Sequence, residues 1–415
     1  MKLLLVSQYF WPETFGINAL VSALCAKGVE VTVLTGKPNY PEGEIFPGYS
    51  ALGAQREIRD GIEIIRLPLY PRGKHSSTRL ALNYLSFVVF GLLIGPWLLR
   101  RRRFDAILVY APSPLLQALP AICLAWLKRV PIALWVQDLW PESLSATGFI
   151  KNRTVLKLVE HAVKFIYRHS DLILIPSEAF RAPIKQLLDE PRKIKYYPNA
   201  YLEEREREAQ APEVRTVAQD IASGFSVVFA GNLGVAQSLD TVVAAAERLQ
   251  VADVGIRIFL IGSGSQLTWL QEETKRRGVR NIVLPGRFAP EAMPHFYAAA
   301  SVLLVSLRDE PIFAYTIPSK VQGYMAAGRP IVASLNGEGA QVVIAAGAGV
   351  ACAAGNAEAL ADAMQKLFRL SKDERAEMGE NARRYAMEHF SLDRLSAELV
   401  DELQGLSAAY REKYQ

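Results

Sequence analysis

The chain alternates short apolar runs with longer amphipathic stretches, and it does so in two successive series. In the first, residues 3–7, 29–35, 62–67, 106–110, 132–136 and 172–176 are apolar and strand-length, with helical patterns at 18–27 and 155–168. Runs without polar alternation suit strands covered on both faces, and strand–helix alternation suits a parallel sheet flanked by helices. The second series begins after residue 220. Its strand candidates are 226–230, 256–261, 282–284, 302–305 and 330–334, with helices at 241–250, 267–277 and 290–300. Between the series, residues 201–216 are rich in Glu and Arg and poor in aliphatic side chains, which predicts a solvated connector after the turn at Pro198-Asn199-Ala200. The expected fold is α/β, with two Rossmann-like domains facing across a cleft. They span residues 1–200 and 201–390, and a helical segment, 391–415, crosses back to the first. Open parallel sheets bind ligands beyond the carboxyl ends of their strands. Two such sheets suit a bisubstrate enzyme with one substrate on each.

With 50% hydrophobic and 21% charged residues, the chain has material for a sizeable core, which excludes global disorder. Its net charge of +5 is unevenly placed. Arg56, Arg59, Arg66, Arg72, Lys74, Arg79 and the arginine run 100–103 face only Glu57, Asp60 and Glu63 in the same stretch. This excess suits anionic lipid or phosphorylated substrates, and nucleic acid is not expected as a partner. Cys25, Cys123 and Cys352 are far apart with no C-x-x-C pair, so neither a zinc site nor a disulfide framework is expected and a reducing cytoplasm fits. The apolar run after Met1 is too short for a signal peptide and reads as a first strand. His75, His161, His169, His295 and His389 show no catalytic or metal spacing, and no Walker loop or nucleophile elbow is present.

Residues 80–99 carry no charge and lie between Arg79 and the arginine run 100–103. The length matches a membrane span, and the arginines would keep their flank cytoplasmic. Asn83, Ser86, Gly91, Gly95 and Pro96 interrupt it, and strands of one domain are expected on both sides. The favoured reading is an interfacial or re-entrant element, 80–103, on the anionic inner leaflet, attracted by ~1 kcal/mol per cation. A helix buried in the domain and a full span are the alternatives.

Ile317-Pro318-Ser319-Lys320-Val321-Gln322 runs into Gly323-Tyr324-Met325-Ala326-Ala327-Gly328-Arg329-Pro330. It reads as a loop entering a helix. Unpaired N–H groups and partial positive charge at such a start attract phosphate, and Lys320 adds a full charge. An ordinary helix opening uses the same Pro-Ser pair. Gly231-Asn232-Leu233-Gly234 follows a strand, where glycines let backbone approach a ligand and Asn232 and Gln237 offer neutral donors; a tight turn is the alternative. Gly262-Ser263-Gly264 repeats the pattern at the next strand end. Leu267 occupies the third glycine position of a dinucleotide fingerprint, which disfavours a nicotinamide enzyme. Arg287 follows the next strand and would pair with phosphate or face solvent. Gly16 opens the first helix. Gln137, Asp138 and Glu142 emerge at a strand end between Trp135 and Trp140, where amphipathic rings beside carboxylates suit a sugar; core tryptophans with Asp138 capping a helix are the alternative.

Taken in order, these segments resemble family 4 of the GT-B glycosyltransferases, in the bacterial surface-polysaccharide branch of L-fucosaminyl and colanic-acid transferases. The resemblance rests on Pro12-Glu13-Thr14-Phe15-Gly16, residues 135–143, Ser177-Glu178, Pro198-Asn199, residues 230–237, Gly262-x-Gly264, Pro318-Ser319-Lys320 and Tyr324-Met325-Ala326-Ala327-Gly328. It implies a nucleotide-sugar donor on the C-terminal unit, retention of configuration and no metal or other cofactor. Asn232 and Gln237 stand where many members place Arg and Lys on the diphosphate, and Lys320 with Arg308 would replace them. Tyr315 and Gly323 stand where many members carry glutamates, and Gln137 where many carry His. These departures lead to a UDP-linked 6-deoxy N-acetylhexosamine as the expected donor, with Phe313, Tyr315 and Ile317 near its methyl group. Lys320, the helix start at Pro318 and Ser319, and Gly16 would stabilise the leaving diphosphate. Asp138 would orient the acceptor or act as base. The expected acceptor is a lipid-linked saccharide at the cytoplasmic face of the inner membrane, with the protein peripheral or monotopic. A GT-B sugar-nucleotide epimerase and a non-catalytic membrane subunit docking a partner transferase are the other readings.

Overall fold

The structure is a computed structural model describing residues 1–74, 76–146, 152–188, 190–201 and 211–414. It divides into two compact units, Met1–Asn199 with Leu392–Gln415, and Ala200–Ser391.

Unit 1 is built on one sheet. Its strands are β1 (Lys2–Val6), β2 (Glu30–Thr35), β3 (Gln55–Arg59), β4 (Ile62–Arg66), β5 (Ala106–Ala111), β6 (Ile132–Val136), β7 (Leu172–Ile175) and β8 (Ile194–Tyr196). Their order is β3-β4-β2-β1-β5-β6-β7-β8. All neighbours pair in parallel except β3, which runs antiparallel to β4. The apolar runs of the first series form β1, β2, β4, β5, β6 and β7. The edge strand β3 was not among the expectations. Its Ile58 is 75% exposed among charged neighbours, so it leaves no apolar run to read.

Helix α1 (Gly16–Ala26) buries Ile17, Leu20, Val21 and Leu24. The uncharged stretch 80–99 lies in a helix, α2 (Ser77–Leu98), capped by the Ser76 side chain. One face of α2 packs into the unit. Phe87, Val88 and Gly91 are buried, and a Cβ on Gly91 would lie 2.7 Å from Cβ of Pro120 in α3 (Ala118–Lys128). Asn83 is fully buried. Its carbonyl accepts from Gln8 Nε2 at 2.7 Å, and its amide donates to Tyr70 O at 2.7 Å and Asn39 Oδ1 at 3.2 Å. The strands before and after α2, β4 and β5, lie in the same sheet. The span alternative is thereby overturned: crossing a bilayer would separate two strands of one sheet and strip Asn83 of its partners. The opposite face is exposed and apolar, with Leu93 at 71% and Trp97 at 61%.

The segment 391–415, expected as helical, holds the helix Leu392–Tyr414, which follows another, Lys372–His389. The helix Leu392–Tyr414 belongs to unit 1. It buries Leu395, Leu399 and Leu403, its Leu395 carbonyl accepts from Tyr197 Oη at 2.8 Å, and Asp393 pairs with Lys27 of α1 at 2.6 Å.

Unit 2 is wholly parallel. Its strands are β9 (Ser226–Ala230), β10 (Arg257–Ile261), β11 (Ile282–Gly286), β12 (Val302–Ser306), β13 (Ile331–Ser334) and β14 (Gly349–Cys352), in the order β11-β10-β9-β12-β13-β14. Alternate residues feed two cores. Val228, Phe259 and Leu303 enter one, and Val227, Ile258 and Val302 the other. The order of the strands reverses at β9 and β12, the kind of switch point where such sheets open a crevice.

The expected connector 201–216 needs correction. Residues 202–210 lie outside the described residues, and Pro212–Ala222 is a helix that buries Val214 and Ile221. Proline at the first helical position and two apolar residues seven apart supply both a start and a packed stripe.

Candidate active site

The turns after β9, β10 and β11 are tied to one another. Gly231 N–H donates to Ile261 O at 2.9 Å, Leu233 N–H to Ser263 O at 2.9 Å, and Gly262 N–H to Gly286 O at 2.8 Å. A Cβ on Gly262 would lie 1.9 Å from Gly231 O, and one on Gly264 2.4 Å from Leu233 O. Gly262 and Gly264 are therefore required by the packing of one turn on the next.

The helix Ser319–Ala326 enters beside these turns behind Pro318, and no side chain caps its first turn. Its buried Tyr324 joins the end of β9, accepting from Ala230 N at 3.0 Å, while its ring meets Tyr297 at 5.2 Å. Lys320 lies one turn earlier. Its Nζ sits 4.8 Å from the Phe229 ring centroid and donates to Gln237 Oε1 at 3.3 Å. Its Cε and Nζ lie 2.9 and 3.1 Å from where a Cβ on Gly231 would be, so the glycine makes room for the side chain. Burial pushes the Lys320 amine below its ordinary pKa. Among the described residues no carboxylate lies within ion-pair distance of it. Gln237 thus holds the lysine. Asn232 is exposed on the adjoining turn, and Arg308 N–H donates to Ala236 O at 2.9 Å, bringing the loop after β12 to the same place. Arg287 is exposed after β11, two strands from β9. Tyr315 is half-buried beyond the short helix Pro311–Ala314, and a Cβ on Gly323 would meet open space.

In unit 1, Gly16 is exposed as the first residue of α1. Asp138 follows β6 and accepts from Trp140 Nε1 at 3.2 Å. Burial raises its carboxyl pKa, opposed by hydrogen bonds from Ser143, Trp140 and Ser113. Tyr84, on α2, lies beside Ser113 and Tyr9 in the same cluster and places its ring 6.4 Å from Trp140. Gln137 Nε2 and Glu142 Oε2 are buried with no hydrogen-bond partner among the described residues. Trp135 and Trp140 do not form a sugar platform. They are 4% and 3% exposed, and Trp135 Nε1 donates to Tyr197 O. Among the described residues, no three His, Cys, Asp or Glu side chains converge as metal ligands. His161 and His169 each bond a carbonyl of their own helix, and His75 lies outside the described residues.

Glu13 carries no role among the expectations, and its place in the fold supplies one. Its buried carboxylate accepts from the backbone N–H groups of Asn39 and Tyr40, both at 2.8 Å, and Phe10 at 3.3 Å, and burial pushes its pKa up to about 7. Arg66 works alongside, donating to Trp11 O at 2.6 Å and Gly36 O at 3.3 Å while paired with Glu57. Both residues fasten the loop after β1 to the loop after β2. An acid directly behind a strand, amid Tyr9, Phe10, Trp11 and Phe15, was the available signal.

Unit 2 therefore offers an ammonium with no carboxylate partner among the described residues, beside an open helix start, and unit 1 a carboxylate among hydroxyls and rings. Residues 16–200 match the model of the glycosyl transferase 4-like domain, and residues 224–369 that of glycosyl transferases group 1. The chain belongs to the GT-B glycosyltransferases of family 4. Within it, the chain is 24% identical to the colanic acid biosynthesis glycosyl transferase WcaI of Escherichia coli K12, over 79% of this chain and 82% of that one. In fold it is similar to sucrose-phosphate synthase from Thermosynechococcus elongatus, with a TM-score of 0.74 at 17% identity over 98% and 99% of the two chains. It is also similar to Anabaena HepE in complex with UDP-glucose, with a TM-score of 0.65 at 16% identity over 98% and 100%. The family 4 chain is thus a hexosyltransferase of polysaccharide biosynthesis.

Proposed function

We propose that this family 4 transferase moves a 6-deoxy N-acetylhexosamine from UDP to a lipid-linked glycan of a surface polysaccharide, with retention and without a metal. The observation that carries this reading is the Lys320 ammonium, held by Gln237 and the aromatic face of Phe229 with no acid at ion-pair distance among the described residues. A leaving diphosphate gains charge in the transition state, and a preorganised cation with backbone N–H groups lowers the barrier most where water is excluded. The acceptor hydroxyl attacks on the face from which the diphosphate departs, and a phosphate oxygen takes its proton. Asp138 orients the acceptor on unit 1. UDP is favoured by the bound nucleotide sugar of HepE, and a polysaccharide acceptor by the name of WcaI.

A deoxy sugar suits a site without the two glutamates. Tyr315 offers a ring and Gly323 leaves open space, so neither leaves a buried carboxylate unpaired against a methyl group. The exposed face of α2 and the arginine run 100–103 support a peripheral or monotopic place on the anionic inner leaflet, with Arg100 4.3 Å over the Trp97 ring.

A panel of nucleotide sugars tests the donor. UDP and its 6-deoxy N-acetylhexosamine ester should raise the melting temperature, and the ester should be turned over with a lipid-linked acceptor. Equal turnover of UDP-glucose would refute the deoxy sugar, and no stabilisation by any uridine nucleotide would refute the donor site.

A further inference from the structure

Arg72 of unit 1, like Lys320 of unit 2, stands apart from the ion pairs around it among the described residues. Arg56 and Arg102 pair with Glu63, Arg59 with Asp60, and Arg66 with Glu57. Arg72 is half-buried and pairs with no carboxylate among the described residues. It is nevertheless well positioned. Its backbone N–H donates to Asn39 Oδ1 at 3.2 Å, and its guanidinium stacks 4.9 Å from the Tyr40 ring centroid. Tyr40 meets Phe15 at 5.2 Å and Tyr9 at 5.8 Å, and Tyr9 stacks on Phe15 at 5.2 Å. Tyr9 lies beside Tyr84, which sits with Asp138 around Ser113. The charge of Arg72 reaches both phenols. A cation, an aromatic shelf with partly exposed Phe15 and Tyr40, and a carboxylate thus follow one another at the carboxyl ends of the strands. Asn83 of α2 closes the cluster from behind through Asn39, and the opposite face of α2 is the exposed apolar one.

We propose that Arg72 binds the diphosphate of the lipid-linked acceptor, with the attached sugar resting on Phe15 and Tyr40. A guanidinium grips phosphate oxygens in pairs, and ring faces cover the apolar face of a sugar. The lipid chain then leaves toward the apolar face of α2. This assignment rests on the lipid-linked acceptor of the proposed function. Its chemistry, a phosphate ester held by arginine, is shared with a phospholipid headgroup.

Calorimetry on the full chain separates the sources. Citronellyl diphosphate, a short isoprenyl diphosphate, is titrated in saturating UDP, with citronellol as the uncharged control. Arg72→Met should weaken the diphosphate about tenfold or more, Arg72→Lys less, and Lys320→Ala not at all. Citronellol should bind none of them. Tyr40→Ala keeps the charge and should weaken an isoprenyl diphosphate sugar more than citronellyl diphosphate itself, which supplies a readout if Arg72→Met fails to fold. Unchanged binding by Arg72→Met, or loss of binding only in Lys320→Ala, overturns the assignment and leaves the transferase reading intact. Loss of binding to phosphatidylglycerol vesicles with full retention of citronellyl diphosphate would also overturn it, making Arg72 a membrane-surface cation. Failure of UDP to stabilise the wild type would instead count against the donor reading.

Discussion

The phenol of Tyr324 engages both backbone groups of Ala230, accepting from its N–H at 3.0 Å and donating to its carbonyl at 3.3 Å. This joins the last residue of β9 to the helix that carries Lys320. Tyr324→Phe leaves a buried amide without that partner, at a cost of about 1–3 kcal/mol. Urea unfolding should show that loss, and kcat/KM should fall as Lys320 loses its fixed place. Unaltered stability would mean that packing alone positions the helix.

Lys320→Ala removes the ammonium itself. We expect kcat/KM to fall roughly 100-fold or more, the scale of losing one charge-stabilising group. The stabilisation conferred by UDP should fall with it. Near-normal turnover would take Lys320 out of the mechanism.

Gly323→Ala separates stability from donor binding. The position is helical and a Cβ there meets nothing within 4 Å, so the substitution should stabilise the fold by roughly 0.5–1 kcal/mol. If the donor occupies that space, KM for it rises even as the melting temperature increases. A stabilised variant with an unchanged KM would show that the sugar lies elsewhere.

Glu13 ties the fold to pH. Its carboxyl, pushed by burial from 4.5 to about 7, binds a proton in the native state that the unfolded chain has already lost between those values. Its contribution is fully present below the unfolded pKa and is lost as pH rises through about 7. At most this amounts to about 3 kcal/mol. Glu13→Gln should flatten the fall in stability between pH 5 and pH 8 relative to wild type, measured by denaturant unfolding. Identical slopes would assign the pH dependence to other groups, among them Asp138 and Asp171, whose pKa values burial also raises.

The exposed face of α2 is tested by charge. Leu93→Glu with Trp97→Ser should reduce binding to anionic vesicles without unfolding the protein, because both side chains point away from the core. Neutralising the arginines at 100–103 should weaken binding further and reduce its salt dependence. Unchanged vesicle binding in both variants would contradict a membrane role for this face.

The strands were legible wherever burial on both faces produced an unbroken apolar run. β3, β8 and β14 escaped because they are polar, three residues long, or built from small residues beginning at Gly349. Lys320 was legible because a loop, a helix start and a cation are contiguous in sequence. Tyr324, Glu13 and Arg72 were not, since each gains its meaning from a distant partner: Ala230, Asn39 and Tyr40 respectively. The tryptophans at 135 and 140 show the converse limit. Position at a strand end does not say whether a ring faces ligand or core, and here both face the core. Asn83 likewise looked like an interruption in a greasy stretch until its bond to Gln8 placed it inside.

The return of the chain to unit 1 at Leu392 fixes the order in which a ribosome can finish the two halves. The first sheet emerges before any of unit 2, yet Leu395, Leu399 and Leu403, which cover it beside α1, are translated only after Ser391. Unit 2 has all its residues available and can close as soon as it clears the exit tunnel. Unit 1 is begun earlier and completed later, waiting throughout with an apolar flank uncovered.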